Sequence, residues 1–470
     1  ASNIINYHQI RRQYLFPLLG FMATVLQIAL LSLFHDDLEM FVIVMTILSV
    51  LQTVLISVTH IFYSQIIAIF HNSLDFIDLF KKLKKAPKTL NKDSMNILIF
   101  NWRDTKHVWA GGAEIYAQQL AQHWVQQGHN VTMFCGNDGH STRNEIIQGV
   151  RIIRRGGSFT VYLWACIYYV LKFRGVFDMV IDSENGIPFF TPLYVRIPKF
   201  LLIHHIHQDK IIFQGRLPFP LTHIAMFLES KLMPIVYSNS KIITVSESSR
   251  QDIIKLGISK LEDIEIVSPG IDPTQLSISK KTSHPSIIYL GRIRPYKNLD
   301  IAIAAFAEVL KEFPTAIFTI AGWGDNIETL RKQAQNLGIS DSVKFLGKIK
   351  DKDKPILLSE NWVTVQPSSF EGWGITVIES NACGTPVIAS DVVGLRDSVI
   401  SGETGVLVPV CNAQALGQEI SRLLGDKKLR TRLSKNAQVW AKRFEWSNLS
   451  TKFIDTMKVR LINHYKYSLI

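Results

Sequence analysis

Two carboxylates and two cations carry the densest chemistry in this sequence. Glu371 and Glu379 stand eight residues apart in Ser368-Ser369-Phe370-Glu371-Gly372-Trp373-Gly374-Ile375-Thr376-Val377-Ile378-Glu379. The apolar run Val363-Thr364-Val365 ends at Pro367, so the stretch reads as strand, glycine-rich turn and helix. Ala382-Cys383-Gly384-Thr385-Pro386-Val387-Ile388-Ala389-Ser390 then reads as a proline break and a second strand. Gly372 and Gly374 carry no Cβ and let backbone approach a ligand closely. A helix starting near Thr376 aims its unpaired N–H groups back into that turn, which suits an anion. With no Lys or Arg close by in sequence, an acid in that turn is read as facing ligand hydroxyls. Arg292 and Lys297 lie five residues apart in Arg292-Ile293-Arg294-Pro295-Tyr296-Lys297-Asn298, just before the helical run Leu299 to Phe313. A fixed guanidinium and a mobile ammonium converging on one point suit a diphosphate. Arg294 reads as a solvated charge.

Weaker signals surround these. Gly111-Gly112-Ala113-Glu114 follows the apolar run Met95 to Phe100 and opens a helical pattern of Ile115, Leu120, Ala121, Trp124 and Val125. That is a βαβ unit whose glycine pair sits at the ligand-facing edge of its sheet. His204-His205-Ile206-His207 invites a metal reading, but strand alternation sends His204 and His205 to opposite faces, and no cysteine or carboxylate set completes a site. Asp351-Lys352-Asp353 has an Asp-x-Asp spacing but sits in a lysine-rich run, so no metal site is expected there either.

The Glu-x7-Glu segment, with the Ala-Cys-Gly-Thr-Pro-Val-Ile-Ala-Ser that follows it, resembles the donor site of retaining family 4 glycosyltransferases. Related signals extend the resemblance over roughly Ser94 to Ser450. It implies the GT-B architecture, an α/β fold of two Rossmann-like domains facing across a cleft. It further implies transfer of a sugar from a nucleotide-diphosphate sugar, with retention and without a divalent metal or other cofactor. By the same resemblance, Arg292 and Lys297 would stabilise the leaving diphosphate, Glu371 would hold the donor sugar and Glu379 the ribose. Gly374 and Ile375 would offer backbone N–H groups, Gly112 would lie in the loop facing donor phosphates or acceptor, and His204 would sit near the reacting sugar. UDP and GDP donors are both compatible. The alternative from a different class is a non-catalytic GT-B scaffold or binding subunit of a membrane polysaccharide-synthesis complex. Degenerate motifs would mark such a subunit, and both glutamates, the arginine and the lysine are present.

The elements that must position these groups fall into five stretches. Residues 1–80 are expected to form a membrane hairpin with helices at about 14–34 and 40–70, because Tyr14 to Phe34 and Met40 to Leu74 contain no Asp, Glu, Lys or Arg. A helix of 21 residues would be about 31 Å long, enough to cross the hydrocarbon core. Arg11 and Arg12 before the hairpin and six lysines between Lys81 and Lys92 after it place both ends in the cytosol, at the cytoplasmic or plasma membrane. A basic linker follows at 81–94. By the resemblance, residues 95–280 are expected to form the first, Rossmann-like acceptor domain, 281–440 the nucleotide-sugar donor domain, and 441–470 a helix returning to the first. Phe159 to Phe173, aromatic and apolar with Lys172 and Arg174 at its end, fits a core helix or a membrane-touching surface.

Composition sets outer limits. A chain of 470 residues buries ample core for two or more domains. Four dispersed cysteines show no disulfide or metal spacing. The net charge of +12 gathers beside the apolar segments, which fits an anionic membrane surface better than nucleic acid, for which no motif is present. The expected partners are a nucleotide sugar, the membrane and a lipid-linked acceptor in cell-envelope glycan or glycolipid synthesis, together with other membrane proteins of such a pathway. No nucleic-acid partner is expected.

Overall fold

The computed structural model describes residues 21, 23–25, 38–61, 94–206, 226–273, 279–324 and 326–467. The chain divides into two compact units, residues 1–82 and 83–470. In the first unit, α1 (Leu38–Ile61) leaves Val42, Ile43, Ile47, Val50, Leu51, Val54 and Leu55 about half exposed. Among the described residues, no helix is long and apolar enough to cross a membrane. The two-span hairpin is therefore not borne out. Its first expected helix, 14–34, lies almost wholly outside the described residues, as does the second beyond Ile61.

The second unit holds two parallel sheets. The first contains β1 (Asn96–Asn101), β2 (Asn130–Cys135), β3 (Asn144–Ile147), β4 (Val150–Arg154), β5 (Met179–Glu184), β6 (Lys199–Ile203), β7 (Lys241–Thr244) and β8 (Ile264–Ile266). Their spatial order is β3-β4-β2-β1-β5-β6-β7-β8, parallel except for the β3–β4 pair. β1, β2 and β5 are buried almost end to end, as expected when helices cover both faces of a parallel sheet. α2 (Gly112–Gln126) buries Tyr116, Ala117, Leu120, Ala121 and Trp124, one helical face, against that sheet. α3 (Val161–Tyr168) continues into a π-turn at Tyr169–Phe173, and α4 (Glu247–Lys255) follows β7.

The second sheet contains β9 (Ser286–Leu290), β10 (Ile317–Ala321), β11 (Val343–Gly347), β12 (Val363–Gln366), β13 (Val387–Ser390) and β14 (Gly405–Val408), in the order β11-β10-β9-β12-β13-β14, all parallel. α5 (Leu299–Glu312) follows β9, α6 (Ile375–Ala382) follows β12, and the short α7 (Leu395–Ser398) follows β13. In both sheets the strand order reverses beside the first strand, at β1/β5 and at β9/β12. The crevice outside the carboxyl ends of the strands at such a reversal is where open α/β sheets bind ligands. α8 (Trp446–Tyr467) packs on α2. Trp124 donates its Nε1–H to the Ser450 carbonyl at 3.0 Å, and its ring meets Phe453 edge-on at 5.1 Å. One core cluster runs from Ile97 and Met133 through Trp446 to Trp373 of the second half, so the two halves share buried surface.

Candidate active site

Lys297 and Glu371 meet at the carboxyl ends of β9 and β12. The Lys297 ammonium donates to Glu371 Oε1, with side-chain exposures of 10% and 16%. Gln366 Nε2 and Ser368 Oγ donate to the same oxygen at 2.8 and 2.9 Å. Burial alone would push the Glu371 carboxyl up, but the Lys297 charge and these three hydrogen bonds outweigh it and hold the group below its usual range. Burial likewise pulls the Lys297 ammonium down, and Glu371 reverses this and raises it.

The two loops are locked to each other around this pair. Asn298, in a left-handed conformation at φ 50°, donates Nδ2 to the Pro367 carbonyl (2.9 Å) and to Ser369 Oγ (2.8 Å). Ser369 N–H donates to the Tyr296 carbonyl at 2.8 Å, and the Tyr296 and Phe370 rings stack at 4.3 Å. The Lys297 ammonium lies 5.0 Å from the Tyr296 ring centroid. These supports went unnoticed in the sequence. The available signal was Gln366, a polar residue closing a strand buried along its whole length.

Arg292 does not join the pair; it crosses to the first half. Its Nη1 donates to the Trp109 carbonyl at 3.2 Å, and a Cβ placed on Gly111 would lie 2.7 Å from its Nη2. Gly111 and Gly112 open α2, where the buried Glu114 accepts the Gly111 N–H at 2.6 Å and is held by Arg103 (2.8 Å) and Asn185 (2.8 Å). Across the cleft, Gly374 precedes α6 at φ 83°, a conformation that favours glycine. A Cβ on Gly112 would sit 3.4 Å from the Ile375 side chain, so the N-termini of α2 and α6 face each other.

His204, at the end of β6, is buried. Its Nε2 lies 3.3 Å from Ser183 Oγ, and its ring packs edge-on against Tyr116 at 5.3 Å. Its carbonyl abuts Gly372: a Cβ there would come within 2.8 Å of that oxygen. Glu379 lies further along α6. Burial raises its carboxyl, Asp351 adds to the rise, and the Lys354 ammonium offsets only part of it. The structure thus brings Lys297 and Glu371 together, sets Arg292, Gly112, Gly374, Ile375 and His204 around the same crevice, and places Glu379 beside Lys354. His207 lies outside the described residues, and among the described residues no group of three His, Cys, Asp or Glu gathers to hold a metal.

The halves are also tied at the rim. Asp397 of α7 accepts the Ser248 N–H in the first turn of α4 at 3.2 Å, while Ser246 caps the same helix from its own chain end at 3.1 Å.

Comparison with known proteins bears on the family and the fold. Residues 110–275 match the family described as Glycosyltransferase Family 4, and residues 274–440 match Glycosyl transferases group 1. An uncharacterized glycosyltransferase of Methanocaldococcus jannaschii is 25% identical over 393 residues, covering 78% of this chain and 99% of its own. Several other curated relatives are matched over only about half their length. The fold is that of sucrose-phosphate synthase from Thermosynechococcus elongatus (TM-score 0.65, 22% identity, 77% of this chain and 98% of that one). It is also that of Anabaena HepE in complex with UDP-glucose (TM-score 0.61, 18% identity, 78% and 100%). Residues 110–440 thus constitute a glycosyltransferase of the group 1, family 4 type, built on the two-domain GT-B fold.

Proposed function

We propose that this glycosyltransferase moves a sugar from a UDP- or GDP-linked donor, with retention, to a lipid-linked acceptor in cell-envelope glycan or glycolipid synthesis. The observation that carries the donor assignment is the buried Lys297–Glu371 pair at the reversal point of the second sheet. The hard step is departure of the nucleoside diphosphate as the sugar becomes oxocarbenium-like. Lys297, Arg292 and the N-terminus of α6 supply positive charge where the diphosphate oxygens gain negative charge. Glu371 accepts hydrogen bonds from donor-sugar hydroxyls, Glu379 from the ribose, and the Gly374 and Ile375 N–H groups hold sugar and phosphate. The acceptor hydroxyl enters from the first half, past Gly112 and His204. Its oxygen bonds to the anomeric carbon on the face that the phosphate oxygen leaves, and its proton passes to that oxygen. The arrangement of cations needs no divalent metal in this reading.

A lipid acceptor accounts for the long apolar stretches 14–34 and 40–70, which would anchor the chain as a multi-pass protein of the cytoplasmic or plasma membrane with its transferase halves in the cytosol. Incubation of the full chain with radiolabelled nucleotide sugars and a membrane lipid extract tests the assignment. Label in the organic phase, unchanged by EDTA, is the expected result. Label confined to water-soluble product excludes the lipid acceptor, and a strict requirement for added Mg2+ or Mn2+ overturns the metal-free leaving group.

A further inference from the structure

The outer side of α3 and its π-turn is apolar where a surface helix is normally polar. Val161, Trp164, Ala165, Tyr168 and Phe173 point into the core. On the opposite side Leu163 is 62% exposed, Val170 48% and Leu171 61%, and Phe159 just ahead of the helix is 61% exposed. The neighbouring loop joins this surface through Tyr194, whose ring meets Tyr169 at 5.8 Å, and it exposes Leu193 and Arg196. Arg174 is exposed at the end of the π-turn. No Asp or Glu occurs in residues 156–177 or 185–208, so the strip and its neighbouring loop contribute cations at its rim, Arg174 and Arg196, and no carboxylate of their own. The strip starts at the cleft edge of the first sheet: the Ser158 carbonyl accepts Trp102 Nε1–H at 2.7 Å, and Trp102 follows β1 directly.

We infer that this face docks on an anionic lipid bilayer, with Phe159, Leu163, Val170 and Leu171 entering the interface and Arg174 and Arg196 meeting lipid phosphates. Apolar side chains flanked by cations are the combination that binds an interface carrying negative charge. A second copy fits worse. A two-fold contact sets the same patch against itself, and here the Arg174 and Arg196 rim would face its own like charge. The inference deepens the reading of a membrane-borne acceptor, since a bilayer on this face lies next to the acceptor side of the cleft.

The test is hydrogen exchange of the full chain with phosphatidylcholine vesicles, with and without phosphatidylglycerol, containing no glycosyl acceptor. Amides of residues 159–176 are expected to gain protection on the anionic vesicles and to lose most of it at about 1 M salt, where the Debye length falls to about 3 Å. Leu163→Glu and Leu171→Glu should each weaken the vesicle-dependent protection of this segment about tenfold or more while leaving the thermal unfolding midpoint unchanged. Because the readout is local, binding through residues 1–93 does not mimic it. No added protection on anionic vesicles overturns the inference. So does protection that is already complete without vesicles, whether constant, as when residues 1–93 cover the face, or concentration-dependent, as when a second copy does. Because the vesicles contain no glycosyl acceptor, failure here leaves the lipid-acceptor assignment standing, and failure of transfer leaves this one standing.

Discussion

Replacing Lys297 by Met removes the cation from a carboxylate that is 16% exposed. Stripping one partner from a buried ion pair costs about 3–5 kcal/mol, because the other charge is left uncompensated. Gln366 and Ser368 still donate to Glu371 at 2.8 and 2.9 Å, so the low end of the range, about 3 kcal/mol at pH 7, is expected. The pH dependence follows from the sign of each shift. In the native protein Glu371 lies below its usual value, so its contribution is present above about pH 4.3 and is lost as pH falls through the native value. In Lys297→Met, burial acts without its main opponent and raises the carboxyl. A raised acid costs stability at neutral pH and recovers it as the group protonates, so the deficit should shrink between pH 7 and about pH 5. Lys297→Met/Glu371→Gln should be more stable than Lys297→Met alone, while sugar transfer stays about 10²–10³-fold below the native rate in both. Urea unfolding across this pH range, with transfer assayed on the same preparations, measures all of it. A deficit unchanged at pH 5, or a double variant no more stable than the single, would refute the buried-pair argument; near-native turnover in Lys297→Met would refute the donor-site assignment.

Gly372→Ala should drive the turn away from the His204 carbonyl and lower kcat/KM about tenfold or more with little change in unfolding, read by steady-state kinetics beside a thermal melt. Glu379→Ala should weaken nucleoside diphosphate binding about tenfold, measured by calorimetry, and relieve a carboxyl that burial already disfavours, so stability should not fall. Arg154→Met strands Asp104, both side chains being 1% exposed, and should cost about 3–5 kcal/mol by urea unfolding while leaving donor KM unchanged. Burial opposes the charged form of Asp104 but Arg154 lowers it, so this stability is present above about pH 3.9 and is lost as pH falls below it.

The chemistry-bearing residues were legible because they sit in short runs whose strand-turn-helix rhythm is local. Which of them meet was not legible. Lys297 and Glu371 are 74 residues apart, and only the reversal at β9/β12 makes them neighbours. Arg292, read as half of a converging pair, is drawn across the cleft by the Trp109 carbonyl. Glu379 shares a short segment with Glu371, yet the ammonium that acts on it is that of Lys354 rather than Lys297. The β3–β4 hairpin went unread because Gln148 and Gly149, both at positive φ, make the turn without the Asn-Gly or Asp-Gly that usually announces it. Phe159 to Phe173 fitted either a core helix or a membrane-touching face, and the structure shows a helix with one side buried in the core and an apolar side exposed.

The hold that Asp397 keeps on α4 bears on turnover. When the halves part, the Ser248 amide passes to water, which replaces a half-buried carboxylate contact at a net cost of about 1.5–3 kcal/mol. In the proposed reaction the halves must part at this contact for a spent nucleotide to leave, which would make α7 a place where the speed of product release can be tuned far from the reacting carbon.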